Sequence, residues 1–154
     1  MAVEPWSVLI DLVRVETRLY NAVDARLKGA GGLTLPQLEV LSVIRDVPGC
    51  RVLDIARTIA ITVGAASKAV DRLEGQGWCR RSVDPADRRS STLSLTASGS
   101  TAVDRATPVF EAASRDTFGT LLSEPDLERL AQILGALRGA RQPPPAARAD
   151  TSAT

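Results

Sequence analysis

The sequence has no histidine, which excludes His-ligated zinc, Ser-His or Cys-His nucleophiles and imidazole proton transfer. Its two cysteines, Cys50 and Cys79, lie far apart and outside any C-x-x-C, so neither a metal knuckle nor a disulfide framework is expected. The chemistry left is that of charge, and seventeen of the 19 basic residues are arginine, whose planar fork suits phosphate and base edges. Two stretches arrange the cations usefully. Lys68 and Arg72 stand four apart, one face of a helix, behind the small residues Gly64, Ala65 and Ser67. Small residues let a backbone approach a groove, and the two cations are donors that reach into it. Further on, Asp84-Pro85-Ala86-Asp87-Arg88-Arg89 is a turn-forming run with Arg88 and Arg89 at its tip. Asp87 is placed to hold one guanidinium extended, the shape that enters a narrow minor groove. Arg80 and Arg81, one strand away, are in reach of the flanking phosphates. This is chemistry for gripping a polyanion. There is no phosphate loop, metal cluster or nucleophile–base pair, so no cofactor, no metal and no enzymatic activity are expected.

Charge distribution agrees with that reading. The 154 residues carry +1 in total, too little to draw in nucleic acid or a membrane by net field alone. Residues 51–100, however, hold 8 basic against 5 acidic groups, while the segments on either side are each net −1. The apolar set makes up 44% of the chain with only five aromatic residues, an aliphatic palette that favours helices over a sandwich. No apolar run approaches the roughly 20 residues of a membrane span. MAVEPWSVLI has no basic leader before its apolar stretch, so no export signal and a reducing cytoplasm are expected.

The elements that must position these residues follow from periodicity. Trp6, Val13, Tyr20 and Leu27 stand seven apart, with Leu9 and Val23 between, and predict a long first helix. Its second apolar edge, Leu12 and Leu19, predicts contacts with a partner subunit as well as with its own domain. Thr34 and Pro36 open a second helix carrying Leu38, Leu41 and Ile44 as far as Pro48-Gly49. Leu53, Ala56, Ile59 and Ala60 predict a third. Thr62 caps a fourth that runs to Gly75 or Gly77, with Val63, Ala66, Val70 and Leu73 inward. Trp78–Val83 and Ser91–Leu95 read as short strands about the basic turn. Thr96 opens a helix to about Leu121 in which Pro108 predicts a bend. Ser123 opens a last helix with Leu127, Leu130, Leu134 and Leu137 along one seam, and ARQPPPAARADTSAT reads as disordered. The fold class is therefore mainly α with a small β-hairpin wing: a winged helix-turn-helix over about 34–96 and helical dimerisation regions at about 5–28 and 97–138. These form one domain, 1–139, with a tail, 140–154.

In residues 51–100 the pattern is specific. Leu53-Asp54-Ile55-Ala56, Ala69-Val70-Asp71-Arg72-Leu73-Glu74, Gly77-Trp78, Arg81, Asp84-Pro85-Ala86-Asp87-Arg88-Arg89 and Leu95-Thr96-Ala97-Ser98-Gly99 resemble, without gaps, the winged-helix core of the MarR family of transcriptional regulators. With the long first helix, Leu38-Glu39-Val40-Leu41 and the Leu-rich last helix, the resemblance covers about residues 5–138. It implies a homodimer that sets paired recognition helices into successive major grooves of a palindromic operator in double-stranded DNA. On the matching positions Thr62, Gly64, Ala65, Ser67, Lys68 and Arg72 face the major groove. Arg89, steadied by Asp87, enters the minor groove, and Arg81 and Arg88 act on phosphates or on wing support. Val63-Gly64-Ala65-Ala66 is poorer in hydrogen-bonding side chains than many relatives, which shifts weight to shape readout. The resemblance also implies release by a small phenolic or aromatic carboxylate, with Arg14 and Arg18 pairing its charge beside Trp6, Ile10 and Val13. Two alternatives stand beside this reading: oxidant control through Cys79 or Cys50, and a winged-helix assembly module without an operator.

Overall fold

The computed structural model describes residues 3–30, 32–83 and 91–140. In chain order they form α1 (Pro5–Gly29), α2 (Leu35–Asp46), α3 (Val52–Thr58), α4 (Val63–Gly75), β1 (Cys79–Val83), β2 (Ser91–Leu95), α5 (Ala97–Gly119) and α6 (Glu124–Gly139). The chain divides into two compact units, Met1–Thr117 and Phe118–Thr154. Among the described residues no helix is long and apolar enough to cross a membrane, and no cluster of acidic or thiol groups is placed to hold a metal ion.

In the first unit, α2 is the pillar of the core: Leu35, Leu38, Val40, Leu41, Val43 and Ile44 are all buried. Its start is fixed by a capping box, in which the Thr34 Oγ1 accepts the Gln37 N–H at 3.4 Å and the Gln37 Oε1 accepts the Thr34 N–H at 2.9 Å. The last turns of α1 pack on it through Val23 and Leu27. There the Asp24 carboxylate takes Lys28 Nζ at 2.6 Å and the Leu35 N–H at 2.7 Å. These bonds hold Asp24 below the ordinary carboxylate range. The N-terminal half of α1 is different, since Trp6, Leu9, Leu12 and Val13 are exposed.

The helix-turn-helix departs from expectation in three places. Helix α3 ends at Thr58, Ile59 is its C-cap, and Ala60 lies beyond it with φ +57°, in the left-handed region a tight connection demands. Within α3, Ile55 is fully buried and Leu53 stays exposed, because the seven-residue helix turns only one narrow face to the core. In α4, Ala66, Val70 and Leu73 are buried as expected, but Val63 is 52% exposed. Its first turn projects past the core, so helical phase alone does not bury it.

The strands pair antiparallel, Cys79 opposite Leu95, Arg81 opposite Leu93 and Val83 opposite Ser91. Trp78, expected in the strand, belongs instead to the turn before it. Gly77 has φ +77°, its N–H bonds the Glu74 carbonyl at 2.9 Å, and the Trp78 N–H bonds the Leu73 carbonyl at 3.0 Å. That pair of bonds is a Schellman turn, which needs a left-handed residue after the C-cap and finds it in glycine. Helix α5 then runs unbroken through Pro108. In the second unit, Ser123 caps α6 by accepting the Asp126 N–H at 3.4 Å, and α6 has no buried residue, with Leu127, Leu134 and Leu137 exposed.

Candidate nucleic-acid interface

Helix α4 begins at Thr62, whose Oγ1 accepts the Ala65 N–H at 3.1 Å and so settles one free donor of the first turn. Gly64, Ala65 and Lys68 are exposed and Ser67 is half-exposed. A Cβ built on Gly64 would meet nothing within 4 Å. The tip of α4 is therefore small, uncrowded and carries one cation. Arg72, expected on the same face, turns back: its Nε donates to the Lys68 carbonyl at 3.3 Å, and the side chain lines a cavity of about 320 Å³ between α2 and α4 with Thr34, Gln37 and Gln76.

Strand alternation decides the fate of the two β1 arginines. Cys79 and Arg81 share the face of the buried Leu93, so Arg81 points toward α4 while Arg80 faces outward. Arg80 lies across the hairpin, its Nε donating to the Ser94 Oγ at 3.1 Å. The Arg81 Nη1 sits 2.7 Å from the Asp71 carboxylate and 2.8 Å from that of Glu74, and the Glu74 Oε1 accepts the Arg81 backbone N–H at 2.9 Å. Partial burial works against the guanidinium charge, but the hydrogen bonds and charges of Asp71 and Glu74 more than offset it and hold Arg81 still more firmly protonated. This geometry ties β1 to α4. Asp71 and Glu74, the partners that make it so, were not singled out from the sequence. The period of two in β1, read against the buried Leu93, was the available signal.

A second joint ties the hairpin to α5. The Gly77 carbonyl accepts the Thr96 Oγ1 at 2.6 Å and the Ser98 Oγ at 2.9 Å, and the Trp78 carbonyl accepts the Thr96 N–H at 3.1 Å. Gly99 lies directly on Trp78: a Cβ there would stand 1.8 Å from its carbonyl oxygen. Leu95-Thr96-Ala97-Ser98-Gly99, legible in sequence only as a pattern, is thus a clamp. Asp87, Arg88 and Arg89 lie outside the described residues.

The residues expected to hold an effector form one row on α1. Trp6, Ile10, Arg14 and Arg18 are successive fours, Val13 lies beside them, and all are exposed. The Arg14 Nη1 lies 3.7 Å from Asp11 of its own helix. A cavity of about 340 Å³ in this unit lies elsewhere, between α2 and α5, lined by Leu35, Leu38, Glu39, Arg45, Thr107 and Phe110. Cys50 and Cys79 are both buried and unpaired by any disulfide. Burial with the nearby Asp54 carboxylate pushes the Cys50 thiol up to about 11. Burial and Glu74, against the lowering effect of Arg81, bring Cys79 to about 11 as well. An oxidant sensor uses an accessible thiolate, and neither thiol offers one.

Known proteins share this arrangement. The MarR family model matches residues 33–91, from the end of the α1–α2 connection into β2. An HTH-type transcriptional regulator of Bacillus cereus is 30% identical over 129 residues, covering 84% of this chain and 83% of its own. A MarR family regulator of Streptomyces coelicolor, solved in complex with DNA, superposes with a TM-score of 0.82 at 26% identity, covering 94% of this chain and 91% of that one. The regulator BpsR of Bordetella bronchiseptica, whose DNA binding is regulated by 6-hydroxynicotinic acid, is 27% identical with a TM-score of 0.72 over 83% of this chain and 93% of its own. The likeness extends through most of both chains, well past the helix-turn-helix, and on it the protein belongs to the MarR family of winged-helix, DNA-binding transcriptional regulators.

Proposed function

We propose that this regulator is a repressor that binds a palindromic operator as a homodimer and leaves it when a small aromatic anion binds. The observation that carries the reading is the open tip of α4, with Lys68 one turn along and a braced hairpin beside it, in a chain that superposes on a regulator solved with DNA. In this reading Ser67 and Lys68 reach base edges, Thr62 holds the helix start, and Gly64 and Ala65 permit close approach. Arg89, held by Asp87, takes the minor groove while Arg88 meets phosphate. The exposed apolar half of α1 supports a dimer, which half-sites one helical turn apart require. The response of BpsR to a hydroxylated aromatic carboxylate supports an effector of that class for this chain, with Arg14 and Arg18 as its charge partners. Such an effector acts only insofar as it prefers a dimer whose recognition helices are wrongly spaced for the operator.

A gel-shift titration of the full chain, on DNA from upstream of its own gene and on unrelated duplex over rising salt, tests the reading. A specific complex that outlasts binding to the unrelated duplex as salt rises is expected, and equal weak binding to both duplexes would favour an assembly module. Arg89→Ala is expected to weaken the specific complex by about 1–3 kcal/mol with the fold intact. Addition of 6-hydroxynicotinic acid or a related aromatic carboxylate is expected to dissociate the complex, and Arg14→Ala to blunt that response.

A further inference from the structure

The first turn of α4 is apolar where a recognition helix meets base edges. Val63 is 52% exposed, Gly64 and Ala65 are exposed, and the Thr62 hydroxyl already accepts a hydrogen bond from the Ala65 N–H. Arg72, which would have supplied a second long donor, is turned back toward α2. Exposing an isopropyl group and a methyl group beside a bare glycine gains nothing in water. Beside DNA the same groups have a specific partner, because thymine alone among the four bases carries a methyl group on its major-groove edge, and apolar side chains recognise it by burying it. The surrounding residues 51–100 are the electropositive third of the chain and supply the phosphate attraction that would bring this tip into the groove.

We infer that Val63 and Ala65 are specificity-determining residues that read thymine 5-methyl groups, with Gly64 admitting the backbone close enough for the contact. The inference rests on the operator-binding reading above and names how that interface chooses its sequence. The half-site is thereby expected to owe more of its selectivity to methyl groups than to bidentate hydrogen bonds.

The test uses a duplex that the full-length protein itself selects from a random library, with each thymine replaced in turn by deoxyuridine, which removes the methyl group and changes nothing else on the edge. One or two thymines in each half-site are expected to show about three- to fivefold weaker binding when demethylated, the loss that corresponds to one buried methyl group. In Val63→Ala or Ala65→Gly, both at exposed positions, the deoxyuridine penalty at the contacted thymine is expected to vanish while dimer assembly is unchanged. Uniform affinity across the deoxyuridine series would overturn the inference, as would a penalty that persists undiminished in both variants, since the methyl would then be read by other residues. Failure to select any duplex at all would instead overturn the operator-binding reading on which it rests.

Discussion

At Gly99 an added methyl group would land 1.8 Å from the Trp78 carbonyl oxygen, which is backbone and cannot rotate away. Gly99→Ala is therefore expected to cost about 3 kcal/mol or more, read as a lowered urea midpoint. The reverse exchange has the reverse sign at Ala60, whose φ of +57° strains any residue with a Cβ. Ala60→Gly is expected to raise stability by about 0.5–1 kcal/mol in the same assay, the relief of strain exceeding the entropy a glycine loses on folding. Nothing in the local sequence distinguishes these two positions. The cysteines are as decisive for function: with both thiols near 11 and buried, neither is expected to react with a disulfide reagent at pH 8 until denaturant exposes both. Rapid labelling of the folded chain would restore the oxidant-sensing alternative.

Two of the joints between elements rest on charged side chains, and they have distinguishable signatures. Arg81 joins β1 to α4 through Asp71 and Glu74, and its side chain is 27% exposed. Arg81→Gln leaves two carboxylates unopposed, which is expected to cost about 1–2 kcal/mol of stability, discounted for the solvent that reaches Asp71. DNA affinity should fall with it, yet the dependence of affinity on salt should keep its slope, since a bracing residue releases no counterions. A shallower slope would make Arg81 a phosphate contact. Asp24 joins α1 to α2, and its lowered folded value fixes the sign of its contribution: complete above about pH 4, lost as the pH falls through that folded value. The stabilities of Asp24→Asn and the parent chain should accordingly converge as the pH is lowered from about 5 to about 2. Elements themselves were well marked in the sequence, because caps such as Thr34, Thr62 and Ser123 and breakers such as Gly49 and Gly77 are local chemistry. The joints were not. Arg81 reads as one more cation in a basic stretch until the register of the hairpin assigns it a side.

For the molecule as a whole, the apolar residues that the single chain leaves wet carry the prediction. Leu9, Leu12 and Val13 are exposed along α1, and an apolar face of that kind marks an interaction surface, which the homodimer proposed above would cover. Leu12→Glu is expected to yield a monomer by sedimentation and to abolish operator binding while leaving the helical circular dichroism of the chain largely intact. Helical periodicity revealed this stripe, but burial inside one chain stops at Val23 and Leu27, and no pattern within α1 marks the point where the intrachain core ends. Val63 illustrates the same limit: phase places it with Ala66 and Val70, and only the finite extent of the core leaves it outside.

The clamp at Gly77 has a mechanical corollary. One carbonyl, just past the end of α4, receives the hydroxyls of Thr96 and Ser98 at the start of α5, and the neighbouring carbonyl receives the amide that leaves β2. Helix α4 and the hairpin therefore meet α5 at one joint. On the operator-binding reading proposed above, a tilt of that helix is expected to reach α4 and the hairpin together, so that an effector acting on α5 weakens both contacts at once.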